Sequence, residues 1–343
     1  MFNKLKKRIK ETGHNIVYNA VEQYMNSNPQ HTPVRKISTL AISYDVKEFP
    51  ILIDKYTPII SSAQRRMYYK NKFGLLDYHI DFFNNLTSKI NLSGKTVLEI
   101  GGSNHPKELT FKDSGAKKWV CIDKPWEYNR RDSHIHYSQV AFKNFDEETL
   151  SEVLEKENYI IYNGYAEKMT EDFFNQFDLC VSNCSFEHIA RLPVVLDLIF
   201  NSLKKDGILF AEFAPIWSAH SGHHIFIEDE TNSTKFTFQD WPEELQHCHL
   251  YMGYIEVFEY LEKHFGNEFA KKHARDIINP DGLNKFFYED YLFLMHKTNF
   301  KQKSVSSLPW RPKVNAEIIN MLRNKYQGYV KFDVFGITIQ AIK

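Results

Sequence analysis

One feature constrains this chain more than any other: short apolar runs alternating with helical or irregular stretches between residues 95 and 213. Lys95–Ile100 (KTVLEI), Lys118–Asp123 (KWVCID), Asn158–Asn163 (NYIIYN), Phe177–Ser182 (FDLCVS) and Gly207–Phe213 (GILFAEF) are each six or seven residues long. They are rich in β-branched and aromatic residues, as strands buried on both faces are. Between the fourth and fifth runs, Ile189–Leu203 has helical spacing. Buried strands separated by helices predict an α/β, doubly wound, mostly parallel sheet with helices on both faces.

The rest of the chain is read around that core. Phe2, Leu5 and Ile9 recur at helical spacing in the basic start MFNKLKKRIK, and the apolar face continues to Tyr24. This segment reads either as a solvated helix end packed on the body or as a weak contact with an anionic membrane surface. Residues 27–60 have little periodicity. Residues 62–90 are helical in pattern, with Tyr68, Phe73, Leu76, Ile80 and Phe83 on one stripe. After residue 215 the alternation stops, and residues 216–283 are rich in His, Phe, Tyr and Glu. Helical spacing returns at Leu283–Thr298. Tyr329–Ile342 (YVKFDVFGITIQAI) predicts a long strand or a pair bent at Gly336. The expected organisation is an N-terminal helical extension (1–90), a core (91–215), an insertion (216–283), and a last helix with strands completing the sheet (284–343).

Charge narrows the function. The 43 basic residues equal the 43 acidic ones, which disfavours binding nucleic acid by bulk electrostatics. Four scattered cysteines do not make a disulfide framework and point to a reducing, cytoplasmic setting. No apolar run reaches the roughly 18 residues needed to cross a membrane.

The informative stretch is VLEIGGSNHP, Val97–Pro106, where a buried strand meets a small-residue turn. Ligands of open parallel sheets bind at that edge. The glycine positions of a dinucleotide fingerprint are Gly101, Ser103 and Pro106, so a pyrophosphate cradle is not expected, and no Walker lysine follows. Asp123 ends the next strand, where an acid accepts hydrogen bonds from ribose hydroxyls or merely closes a turn.

These motifs resemble the class I S-adenosylmethionine-dependent methyltransferases. Val97–His105 is similar to that family's first motif, with Glu99 and Gly101 matching and its later glycines replaced by Ser103 and His105. Asp123 matches its ribose-binding acid. Tyr165-Ala166-Glu167 resembles its adenine-side segment, Phe177–Ile189 its fourth-strand motif, and Leu203–Phe213 the strand that follows. Asn183-Cys184-Ser185-Phe186 is not the sequence of base-methylating enzymes. The resemblance implies a Rossmann-like seven-stranded sheet with an antiparallel last strand, N-terminal helices and an inserted lid. It implies S-adenosylmethionine as cofactor, S-adenosylhomocysteine as product, and Glu99, Gly101, Gly102, Ser103, Asp123, Ala166, Glu167 and Asn183 as cofactor-binding residues. The implied partner is a small-molecule or glycan acceptor, and no nucleic acid.

Methyl transfer to a hydroxyl also needs a general base, and histidine suits it. Five of the 15 histidines fall between His220 and His249. His220, His223 and His224 follow the fifth strand and are the candidate catalytic residues. On an extended segment His223 and His224 would point opposite ways. Two other readings stand beside this one. One is a metal site built from His220, His223 or His224 with His247 or His249, although no established zinc spacing is present. The other is structural histidines hydrogen-bonded within the insertion. Glu187-His188 after the fourth strand reads as a helix-start pair or as a border of the site. Trp217, Phe226, Phe236, Trp241 and Tyr251 either stack on an acceptor or make the insertion's core. The expected reaction is O-methylation of a sugar or other polar small molecule, as in surface-polysaccharide assembly. The alternatives are N- or C-methylation of a small natural product, or a non-catalytic binding protein.

Overall fold

The structure is a computed structural model that describes residues 44–51, 54–101, 105–123, 141–145, 147–229, 234–238, 241–310 and 312–343. The basic N-terminal segment lies outside the described residues.

Five parallel strands form where the apolar runs predict them: β1 (Thr96–Ile100), β2 (Lys118–Asp123), β4 (Tyr159–Asn163), β5 (Phe177–Asn183) and β6 (Leu203–Phe213). A short β3 (Ala141–Lys143) adds an edge. β9 (Gln302–Ser307) and β10 (Ile337–Ile342) complete the sheet at the other side. The order is β3-β4-β2-β1-β5-β6-β10-β9, with β10 antiparallel to both neighbours. This is the expected doubly wound sheet with seven strands in place and β3 as an eighth.

Strand alternation decides what covers each face. Leu98, Ile100, Val120, Ile122, Ile160 and Tyr162 face one side. There they meet α3 (Leu150–Lys156), α4 (Leu192–Ser202) and α8 (Tyr288–Lys297). Val97, Trp119, Tyr159, Leu179, Val181 and Phe210 face the other. They pack on α1 (Ala63–Phe73), α2 (Asp77–Thr87) and the π-helical turn Glu108–Asp113. The helical pattern over 62–90 is thus two helices, because Gly74 takes a left-handed φ of 66° and its N–H caps Lys70 O. Both pack directly on the sheet.

The segment after β6 holds a hairpin, β7 (Ile227–Asp229) with β8 (Thr234–Phe236), and three helices: α5 (Cys248–Tyr251), α6 (Tyr254–Phe265) and α7 (Asn267–Ile278). It has its own core of Phe236, Trp241, Leu245, Val257, Leu261, Phe269 and Ile277. Phe236 and Trp241 are therefore core residues, whereas Phe226 is exposed.

The terminal expectation needs correction. Only Ile337–Ile342 of Tyr329–Ile342 is strand. Tyr329 and Phe332 instead bury against Ile319 and Leu322 of α9 (Ala316–Lys325). Their apolar surface is satisfied by a helix, so no strand partner is required. β9 was not anticipated, since its sequence QKSVSS is polar. Its outer edge is covered by the chain at Lys47, which exchanges backbone bonds with Lys303 O and Val305 N. Among the described residues, no helix is long and apolar enough to cross a membrane.

Gly336 lies where β10 approaches the end of β6. A Cβ there would fall 2.6 Å from Phe213 O and overlap Ala214 Cβ. Gly336→Ala should destabilise the fold by about 1–3 kcal/mol through overpacking. The check is a lowered urea midpoint at unchanged slope; an unchanged midpoint would show that the strands part without cost.

Candidate functional site

The chain leaves β1 for β2 and β4 on one side and returns to β5 and β6 on the other. A crevice therefore opens at the carboxyl ends of β1 and β5, the usual ligand position of such sheets. Gly101 stands there with φ 69°, and a Cβ would overlap Ser185 Oγ. Glycine is required here twice over, by backbone conformation and by close approach. Ser182 Oγ donates to Ile100 O at 2.8 Å and ties the two strand ends together. Asn183 is buried, and its Nδ2 has no hydrogen-bond partner among the described residues. Asp123 ends β2, and its carbonyl accepts from Gly164 N at 3.0 Å. Ala166 is buried and Glu167 half-buried in the short 3-10 turn that follows β4. Gly101, Asp123, Ala166, Glu167 and Asn183 thus share the carboxyl edge of neighbouring strands. Gly102 and Ser103 lie outside the described residues.

Glu99 is different. It is one position out of step with Leu98 and Ile100 and faces the helices on the α2 side. His105 Nδ1 lies 2.9 Å from its Oε1, and Trp119 Nε1 donates to its Oε2 at 2.7 Å. Both oxygens are engaged, and Tyr159 OH donates to His105 O at 2.8 Å. Glu99 therefore anchors His105 and the start of the π-helical segment that follows it.

The turn after β5 carries Phe186, Glu187 and His188. Asn284 clamps it. Asn284 N donates to Glu187 O at 2.9 Å and its Nδ2 to Phe186 O at 2.7 Å, while Tyr291 OH donates to its Oδ1 at 3.2 Å. Glu187 is buried, and burial pushes its carboxyl up to about 8. His188 is solvent-accessible, yet the protein around it lowers its pKa by desolvation. Tyr78 at the start of α2 shows the same pairing of exposure with desolvation, and is pushed up to about 12. Each side chain is reached by solvent and yet largely surrounded by protein. Composition and spacing could not single out Tyr78 or Asn284, because each meets the site only through the fold.

The three candidate catalytic histidines are separated. Residues 217–223 form turns, not the extended segment expected. His224 has φ 58°, and its Nε2 meets Pro215 O; its ring stands perpendicular to His188 at 5.0 Å between centroids. His224 thereby reaches the cleft. The His223 ring is fully buried against Trp241 and the His249 ring, with Nδ1 accepting from Ile225 N at 3.0 Å. His220 is buried among Trp310, Phe335 and His247. His247 Nε2 donates to Phe332 O and His249 Nε2 to Trp217 O, both at 2.8 Å. The first bond staples the segment after β6 to the C-terminal region, and the second ties that segment to its own start.

No described protein family matches the sequence, and no curated protein matches it. Solved structures do show likeness. A methyltransferase dependent on S-adenosylmethionine from Mesorhizobium loti is 9% identical, with TM-score 0.35, over 74% of this chain and 93% of that one. The YcgJ protein from Bacillus subtilis is 12% identical, with TM-score 0.38, over 77% and 98%. Phosphoethanolamine N-methyltransferase 2 of Haemonchus contortus, in complex with S-adenosyl-L-methionine, is 13% identical, with TM-score 0.36, over 84% and 53%. Likeness this distant does not bear on what this chain does.

The buried histidines make stability depend on pH. Desolvation lowers His220 and His247 to about 4 and His79 to about 3. For His220 the nearby Phe238 backbone opposes the shift without meeting hydrogen-bond geometry. The unfolded chain, with histidine near 6.5, binds more protons below that pH. Stability is complete above about pH 6.5 and is lost as pH falls from there toward 4. Urea unfolding should show a loss of about 1 kcal/mol per buried histidine between pH 7.5 and 5.5. His220→Phe should flatten that dependence by about one proton; a flat profile in the parent chain would refute buried neutral histidines.

Proposed function

We propose that this chain is an S-adenosylmethionine-dependent methyltransferase that O-methylates a sugar or similar polar small molecule. The observation that carries the reading is the crevice at the carboxyl ends of β1 and β5. It gathers a position that only glycine can fill, a β2-terminal acid and a buried amide nitrogen without a partner among the described residues at one edge. The Gly101 backbone approaches the amino-acid part of the cofactor, and Gly102 and Ser103, next in sequence, are assigned to the same part of it. Asp123 receives the ribose hydroxyls. Ala166 and Glu167 border the adenine, and Asn183 turns its free amide hydrogens toward the cofactor.

Transfer from a sulfonium is an in-line displacement whose rate comes chiefly from alignment. The acceptor oxygen attacks the methyl carbon, the carbon–sulfur bond breaks, and S-adenosylhomocysteine leaves. The hydroxyl proton must go to a base or to solvent. Of the three histidines singled out by sequence, His224 alone stands at the cleft, and desolvation lowers it to about 3, so it is neutral at pH 7. The segment at 216–283 is proposed as the acceptor-selecting lid. Surface-polysaccharide assembly is the setting that suits a glycan acceptor.

Calorimetry with S-adenosylmethionine tests the reading. Binding is expected, with Asp123→Ala weakening it about tenfold or more, as loss of a hydrogen bond to a charged group does. No binding at millimolar cofactor, or binding unchanged in Asp123→Ala, would reject the corresponding assignment. A screen of polar metabolites with methyl-labelled cofactor then identifies the acceptor.

A further inference from the structure

We infer that Glu187, His188 and His224 form a binding site for a first-row divalent transition-metal ion on the wall of the cleft. One ligand atom from each residue lies within 4.8 Å of the others. The three side chains come from the turns after β5 and β6.

The tautomers favour the site. A backbone carbonyl only accepts, so the nitrogens bonded to carbonyls carry hydrogen. His188 Nδ1 donates to Gly282 O at 2.9 Å, and His224 Nε2 donates to Pro215 O. Each neutral ring therefore keeps a lone pair on its other nitrogen: Nε2 of His188 and Nδ1 of His224. This is the outer-shell arrangement that orients metal-ligating imidazoles. Glu187 supplies the third ligand. It is 3% exposed, and its Oε2 has no hydrogen-bond partner among the described residues. A buried carboxyl oxygen without a partner is costly, and a cation beside it removes the cost. Asn284 holds the Glu187–His188 backbone in place, so the ligands do not have to be ordered by the ion.

Ligand chemistry selects the class of ion. Two imidazoles and one carboxylate suit borderline divalent metals, whereas magnesium and calcium prefer oxygen throughout. Three protein ligands leave coordination positions open, and the accessible His188 ring puts the site at the solvent side of the cleft. A second group, His223, Cys248 and His249, also brings ligand atoms within 4.8 Å. It is the poorer candidate. Ile225 N–H occupies His223 Nδ1, which places hydrogen on Nε2. Cys248, His223 and His249 are all buried, so this group has no solvent-side face by which an ion could enter.

The inference stands on these contacts and not on methyl transfer, and its readout is metal binding alone. The full chain is freed of metal with a chelator, dialysed and titrated with Co2+ while its spectrum is followed. One equivalent is expected to bind, with visible ligand-field bands and no near-ultraviolet thiolate charge-transfer band. His188→Ala, which changes an accessible side chain, and Glu187→Gln should each weaken binding at least tenfold; Cys248→Ala should leave it unchanged. Circular dichroism confirms that each variant is folded. No binding at millimolar Co2+, binding indifferent to His188→Ala and Glu187→Gln, or a thiolate band abolished by Cys248→Ala would overturn the assignment.

Discussion

The structure depends on the complete burial of β1. Val97, Leu98 and Ile100 have both sheet faces covered, and both strand edges are occupied by β2 and β5. Nothing can approach such a strand except at its ends. A ligand can therefore meet this strand only through the loops at its ends, and the helical layers keep water from the rest. The one acid within β1, Glu99, obeys the same constraint. It is tolerated because Trp119 and His105 occupy both of its oxygens.

Much of this arrangement was legible in the sequence. Four of the five apolar runs became parallel strands to within one residue, because a strand buried on both faces leaves an unmistakable composition; the fifth, β6, starts four residues earlier, at Leu203. The glycine turn after β1 and the acid after β2 were also readable, since backbone approach and strand position fix them locally. β9 was not, because its polar sequence gains its place from pairing with β10 and from cover by the chain at Lys47. The stretch before Gly336 misled for the opposite reason. Its alternating apolar residues fit a strand, but a helix took up their burial.

The site was less legible than the sheet. Clustering of histidines in sequence suggested clustering in function, yet His220 and His223 turned inward to the aromatic cores while His224 turned to the cleft. What separates them is the turn at 217–223, where one residue's shift sends a side chain to a different layer. His188, which sequence placed at the margin, is the partner of His224 across 36 residues of chain. Asn284 reaches Phe186 across 98 residues. Side-chain partnerships over such separations follow from topology, and no local pattern announces them.

The clamp at Asn284 also bears on how a chain like this can diversify. The inserted segment leaves the sheet near His224 and rejoins it near Gly282, and both points are fastened to the turn after β5. Between them lies a unit with its own core. That core is built from Phe236, Leu261 and Phe269, none of which belongs to the cores under the sheet, so a change of side chain within it leaves Glu187 and His188 on their own supports. The turn after β5 and the core of the segment at 225–281 are thus held by different sets of residues on the same polypeptide.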